Sequence, residues 1–163
     1  MLKMTVKVTN KSPNPTPAYA TEQSAGADIC AWVGSENHLF ISNSAKEVDD
    51  EGNELIRIFP NGRCKIDTGI HLQLPGFFEA QVRPRSGLSL KQGLVTVLGT
   101  IDADYRGSVG VIVHNISNEV LTVRNGDRIA QLVIAPVAQI RFETADSLDE
   151  TKRGSGGFGS TGV

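Results

Sequence analysis

Cysteine is scarce, with Cys30 and Cys64 the only two among 163 residues. They share no metal-ligand spacing and cannot make a disulfide framework, so neither a small zinc module nor a cross-linked scaffold is indicated. No apolar run approaches the roughly 18 residues of a membrane span. Met1-Leu2-Lys3-Met4-Thr5 lacks the apolar stretch of a secretory signal. We therefore expect a soluble protein in a reducing cytoplasm, where the sequons at Asn10 and Asn115 carry no glycan. A basic excess is missing too: Lys and Arg number 16 against 18 Asp and Glu, net −2. That argues against a general nucleic-acid coat or a protein held on a membrane by charge. It leaves room for a local basic pocket that takes a phosphorylated small molecule. Long amphipathic patterns are absent. The best helical candidate is one or two turns near Ser86–Gln92, with a second near Asp146–Lys152.

What is present is alternation. Thr5-Val6-Lys7-Val8, Glu79-Ala80-Gln81-Val82-Arg83, Ser108 through Val113 and Val120-Leu121-Thr122-Val123 carry the period of two of half-buried strands. Turn signals separate such runs at Asn61-Gly62, Pro75-Gly76, Tyr105-Arg106-Gly107 and Asn125-Gly126-Asp127. Short strands at this spacing predict an all-β sandwich, jelly roll or barrel. The length suits one domain with a single core. Between Leu39-Phe40-Ile41 and Leu55-Ile56-Arg57-Ile58-Phe59 lies the polar stretch Val48–Asn53, which reads as the tip of an exposed hairpin within 36–58. Residues 154–163 hold five glycines and cannot build a core, so a mobile tail is expected.

Three polar, glycine-rich segments carry candidate chemistry. Arg83-Pro84-Arg85-Ser86-Gly87-Leu88-Ser89 places two arginines and a hydroxyl where a short helix can begin, and together these suit an anion. A capped helix with its arginines in solvent has the same appearance. Gly99-Thr100-Ile101-Asp102-Ala103-Asp104-Tyr105-Arg106-Gly107 holds two carboxylates in a tight bend. An ionised Asp there can take a proton from water, although loop aspartates are also plain turn formers. Arg153 through Gly162 supplies consecutive amides that can crowd around an oxyanion, with Ser and Thr as further donors. Asp67-Thr68-Gly69 matches the aspartic-protease tripeptide, but no second pattern supports it.

With those segments quoted, the chain resembles the trimeric dUTP pyrophosphatases (dUTPases) from end to end. Five motifs stand in register: Ala25-Gly26-Ala27-Asp28-Ile29, Arg83 to Leu88, Gly99 to Gly107, Gly126-Asp127-Arg128-Ile129-Ala130-Gln131-Leu132, and Arg153 to Gly162. The resemblance implies a jelly-roll-like β-clip domain over 1–145 and a flexible arm over 146–163 that closes the active site. It implies Mg²⁺-assisted attack of water on the α-phosphorus of dUTP, giving dUMP and pyrophosphate, in a homotrimer with shared sites. Asp102 is the implied general base, and Asp28 faces the magnesium through water. Tyr105 packs on the deoxyribose and rejects UTP. Gly99, Thr100, Ile101 and Gly110 are implied on the substrate, the backbone around Gly99 and Ile101 meeting the uracil edge. Arg85, Ser86, Gly87 and Gln131 hold phosphate oxygens. Arg153 reaches the γ-phosphate, Phe158 covers the uracil, and Gly159, Ser160 and Thr161 grip the phosphate end. The stretch 93–99 is shorter than in many bacterial members and offers no Asn side chain to the base, so uracil recognition leans on backbone. Three rival readings fit the residues less well. A dCTP deaminase carries a Glu where this chain has Ile112, which cannot shuttle protons. A non-catalytic nucleotide-binding protein on the same scaffold would have no use for Asp102 and the glycine tail. A purely structural β-protein would not need five polar glycine segments.

Overall fold

The computed structural model describes residues 4–157. In chain order the elements are β1 (Lys7–Asn10), β2 (Ala18–Tyr19), β3 (Ala27–Cys30), β4 (Leu39–Val48), β5 (Glu54–Asp67), β6 (Ile70–Gln73), β7 (Phe78–Arg83), α1 (Ser86–Gln92), β8 (Leu94–Thr96), β9 (Gly99–Ile101), β10 (Gly110–Asn115), β11 (Leu121–Arg124) and β12 (Arg128–Pro136). One five-stranded sheet runs β11-β5-β10-β8 with β4 added on β5, and the other runs β2-β3-β12-β7-β9. All pairings are antiparallel, and β1 with β6 forms a separate ribbon. The fold is all-β and jelly-roll-like.

Alternation sets which side chains face inward. On β10, Val111, Val113 and Asn115 are buried while Ile112 is exposed. On β3, Ala27 and Ile29 are buried and Asp28 lies between them. The core joins Ile56, Ile58, Ile66, Val111 and Val113 of one sheet to Ile29, Ala80, Val82, Ile129 and Leu132 of the other. Asn115 is 0% exposed, yet it is satisfied. Its Nδ2 donates to the carbonyls of Ile58 and Glu119, and its Oδ1 accepts from Ser117.

The predicted hairpin forms from β4 and β5. Its tip is closed by the Asp49 carboxylate, which accepts the amides of Glu51 and Asn53 and the Arg124 guanidinium. Asn61-Gly62 is not a turn. It lies inside β5 as a bulge, Asn61 taking a φ of 59°. The register with β4 steps from Ser42↔Arg63 to Ser44↔Ile58 across it, and a Cβ at Gly62 would collide with the Asn43 carbonyl. The helix near Ser86–Gln92 is present, ending at Gly93 in the left-handed conformation. No helix forms over Asp146–Lys152. Its one large apolar residue, Leu148, is 89% exposed, and so short a segment has no packing to offset nucleation. Among the described residues no helix is long and apolar enough to cross a membrane. Both cysteines are free thiols, and burial pushes Cys64 up to about 11.

Candidate active site

The central strands of the second sheet bring three of the glycine-rich segments together. Gln131 on β12 pairs with Asp28 on β3 and with Arg83 at the end of β7. A bulge between Arg128 and Ala130 buries both Ile129 and Ala130. Beyond it, Gln131 falls in step with Asp28, the half-buried position of β3. Gly26 leaves the room that Gln131 needs, because a Cβ there would strike the Gln131 amide. Gln131 Nε2 in turn donates to the Pro84 carbonyl at 2.9 Å.

These contacts frame an open cleft of about 520 Å³. Its walls are Ser24 to Gly26 and Asp28 from the first segment, Arg85 to Leu88 with Lys91 and Gln92 around α1, and Gln131. Two cations, Arg85 and Lys91, face one carboxylate, so the cleft favours an anion. Arg85 donates to Asp28 through Nε at 2.9 Å and a second nitrogen at 3.4 Å, and to the Arg128 carbonyl at 3.1 Å. Arg128 reaches the same carboxylate at 3.2 Å. The pairing holds Arg85 in place while leaving part of its five-donor fork for a ligand. The amides of Leu88 and Ser89 bond the Arg85 carbonyl, which leaves those of Ser86 and Gly87 outside the helical ladder.

The third of the five motifs, Gly99 to Gly107, lies elsewhere. β9 pairs with β7 through Val82↔Gly99 and Ala80↔Ile101, so the strand runs away from Arg83 and the cleft. At about 3.4 Å per residue this carries Asp102 more than 10 Å along the sheet. Asp102 and Tyr105 are exposed. The bend is held by the Tyr105 amide on the Asp102 carbonyl at 3.1 Å and by the Tyr105 hydroxyl on the Ser108 carbonyl at 3.2 Å. Gly107 lies beneath the ring, where a Cβ would collide with it. Gly99, Thr100 and Ile101 form the edge strand β9, and Gly110 pairs with Asp67 in the other sheet. Arg153 lies in an exposed turn with its Nε on the Gly156 carbonyl at 2.8 Å. Phe158, Gly159, Ser160 and Thr161 lie outside the described residues.

The structure thus unites Asp28, Arg85, Ser86, Gly87 and Gln131, and it does not bring Asp102, Tyr105 or Arg153 into that cleft. Sequence reasoning missed Ser24, Lys91 and Gln92 as lining residues and Arg128 as the second partner of Asp28. Lys91 sits four residues past Gly87, one turn on along the same short helix, and that spacing was the available signal.

A family model described as dUTPase matches residues 53–162. The deoxyuridine 5'-triphosphate nucleotidohydrolase of Dinoroseobacter shibae is 47% identical over 150 residues, covering 91% of this chain and 88% of that protein. Its counterpart in Cytophaga hutchinsonii is 44% identical over 160 residues, covering 96% and 91%. Among solved structures, a point mutant of the dUTPase of Staphylococcus bacteriophage 80alpha with dUpNHpp superposes with a TM-score of 0.78 at 24% identity, covering 99% of this chain and 100% of that one.

Proposed function

The chain belongs to the dUTPase family and hydrolyses dUTP to dUMP and pyrophosphate, and from that premise we propose how its residues divide the work. The observation that carries the reading is the cleft in which Asp28, Arg85 and Gln131 meet beside Ser86 and Gly87, whose amides precede the helical ladder. A triphosphate is an anion of several charges, and a cationic cleft with donors fixed in advance suits it. Arg85, Ser86, Gly87 and Gln131 hold its phosphate oxygens. Asp102 is the general base: it orients a water and takes its proton as the water oxygen bonds to the α-phosphorus. The bond from that phosphorus to the bridging oxygen breaks, and pyrophosphate leaves. Holding base, water and phosphorus in line supplies much of the acceleration, so Asp102 need not be a strong base.

Specificity rests with the third motif, Gly99 to Gly107. The backbone of Gly99, Thr100 and Ile101, with Gly110 at the start of β10 in the other sheet, meets the uracil, and Tyr105 lies against the deoxyribose. The arm, 146–163, closes over the filled site, Arg153 reaching the γ-phosphate, Phe158 covering the base, and Gly159, Ser160 and Thr161 meeting the phosphate end. Closure excludes water and strengthens every polar contact inside.

Magnesium fits the donor set. Mg²⁺ is commonly held by one or two carboxylates plus substrate phosphates and not by an all-protein cage. Asp28 is the carboxylate of the cleft, and among the described residues no three His, Cys, Asp or Glu side chains gather elsewhere to hold a metal. Asp28 would hold the ion through water, and the ion would reduce the charge that repels an attacking oxygen.

On this reading the working unit is a homotrimer whose sites are shared. Support comes from the separation of Asp102 from the cleft and from uncovered apolar side chains. Val97 and Ile112, joined by a backbone bond at 2.8 Å, are 44% and 39% exposed. Ile116, bonded to Gly93, is 60% exposed, and Leu90 of α1 is 86% exposed. Turnover in ¹⁸O-labelled water tests the chemistry: the label is expected in dUMP, and label in pyrophosphate would overturn attack at the α-phosphorus.

A further inference from the structure

Asp67, the last residue of β5, is 1% exposed and is the one buried carboxylate among the described residues. Five donors converge on it. Oδ1 accepts the Ser108 hydroxyl, the Thr68 amide at 2.9 Å and the Gly69 amide at 3.3 Å. Oδ2 accepts the Ser35 hydroxyl at 2.5 Å and Asn37 Nδ2 at 3.5 Å. Burial pushes the carboxyl up, but the Ser108 and Ser35 hydroxyls and the two amides outweigh it and hold the group below the usual carboxylate value. A buried charge so satisfied is costly to assemble and costly to disturb.

Its neighbours extend the grip onto one short segment. Thr68 Oγ1 donates to the Val109 carbonyl at 2.7 Å, and the Val109 amide donates to the Ile70 carbonyl at 2.7 Å. His71 Nδ1 meets the Arg106 carbonyl at 2.9 Å. The β5–β6 corner therefore clasps residues 106–109, the root of the bend that carries Asp102. From that root the Tyr105 hydroxyl bonds the Ser108 carbonyl, and the Tyr105 amide bonds the Asp102 carbonyl.

We propose that Asp67 is a positioning residue for the hydrolysis: through the Ser108 hydroxyl it fixes the root of the 102–107 bend and thereby sets Asp102 and Tyr105. The role calls for a carboxylate because both oxygens are needed as acceptors. An amide would turn its donor toward groups that already donate. The proposal rests on Asp102 being the base.

Ser108→Ala tests it, removing one donor and leaving the carboxylate four others, so that the core is not stripped of its partner. Ser35→Ala is the matched control, taking a different hydroxyl from the same carboxylate without touching the bend. For Ser108→Ala, kcat with dUTP is expected to fall by about ten-fold or more while KM stays within about two-fold. The preference for dUTP over UTP in kcat/KM falls with it. Ser35→Ala is expected to keep wild-type kcat and preference while lowering Tm by a similar amount. Equal losses of kcat in the two variants, or wild-type kcat and preference in Ser108→Ala, would overturn the positioning role. Asp102→Asn measured alongside separates the two levels. Wild-type turnover in that variant rejects the base assignment itself, whereas a slow Asp102→Asn with an unimpaired Ser108→Ala rejects only the role of Asp67.

Discussion

Tyr105 is held from three sides without touching the core. Its amide is tied to Asp102, its hydroxyl to Ser108, and its ring lies over Gly107, which leaves no space for a Cβ. Such a ring is a rigid wall, and in the proposed placement against the sugar it would discriminate by excluding one hydroxyl. Tyr105→Ala is therefore expected to raise kcat/KM for UTP relative to dUTP by about ten- to a hundred-fold, within the range set by one small group in a packed pocket. Side-by-side assays of the two nucleotides check it, and unchanged selectivity moves the filter to another residue. At this scale the sequence was informative wherever a residue type is forced by local geometry. Gly26 and Gly107 stand where a side chain cannot fit, and Gln131 and Asp28 stand where alternation turns them away from the core. It was silent about Asp67, whose tripeptide invited a protease comparison. Its partners, Ser35 and Ser108, lie 32 and 41 residues away, and no local pattern joins them.

Elements were legible to the degree that their signals are local. Alternation marks β7, β10 and β11, and the Gly-Asn tip marks the β4–β5 hairpin. Asn61-Gly62 has the composition of a turn, but β5 continues through it because Ile58, Cys64 and Ile66 are buried on both sides of it, and burial outweighs a local turn preference. The segment 146–152 has residues a helix accepts but only Leu148 to bury. The β5–β6 corner, by contrast, is a tertiary object, and its charge gives it a dependence on pH. Asp67 has a lowered value in the folded protein, so the unfolded chain binds its proton more readily. The stability it contributes is complete at pH above the unfolded value, about 4, and is lost as pH falls through the lower folded value. Thermal unfolding of Asp67→Asn is expected to show lower stability near neutrality and a flatter decline from about pH 5 to pH 3. A decline as steep as that of the wild type would place the acid sensitivity on other carboxylates.

At the scale of the molecule, the proposed division of work makes one catalytic event need both the cleft and Asp102. The β7–β9 register separates them within a chain. In the proposed assembly a second copy would close that separation by bringing its own 102–107 bend to the cleft of the first, and the exposed Leu90, Val97, Ile112 and Ile116 offer apolar surface for such contact. This arrangement has a consequence that a single-chain site lacks. Asp102→Asn spoils only the bend and Arg85→Ala only the cleft. Each homogeneous preparation should be nearly inactive. In mixed assemblies made by co-expression, a cleft from the first variant meets a bend from the second, and such a site has both parts intact. Activity is therefore expected to return in the mixture to a substantial fraction of wild type, on the order of what random assortment of chains allows. The sedimenting species should have three times the mass of one chain. If each chain housed a complete site, no assortment of the two variants could produce a working one, and the mixture would stay as slow as its components.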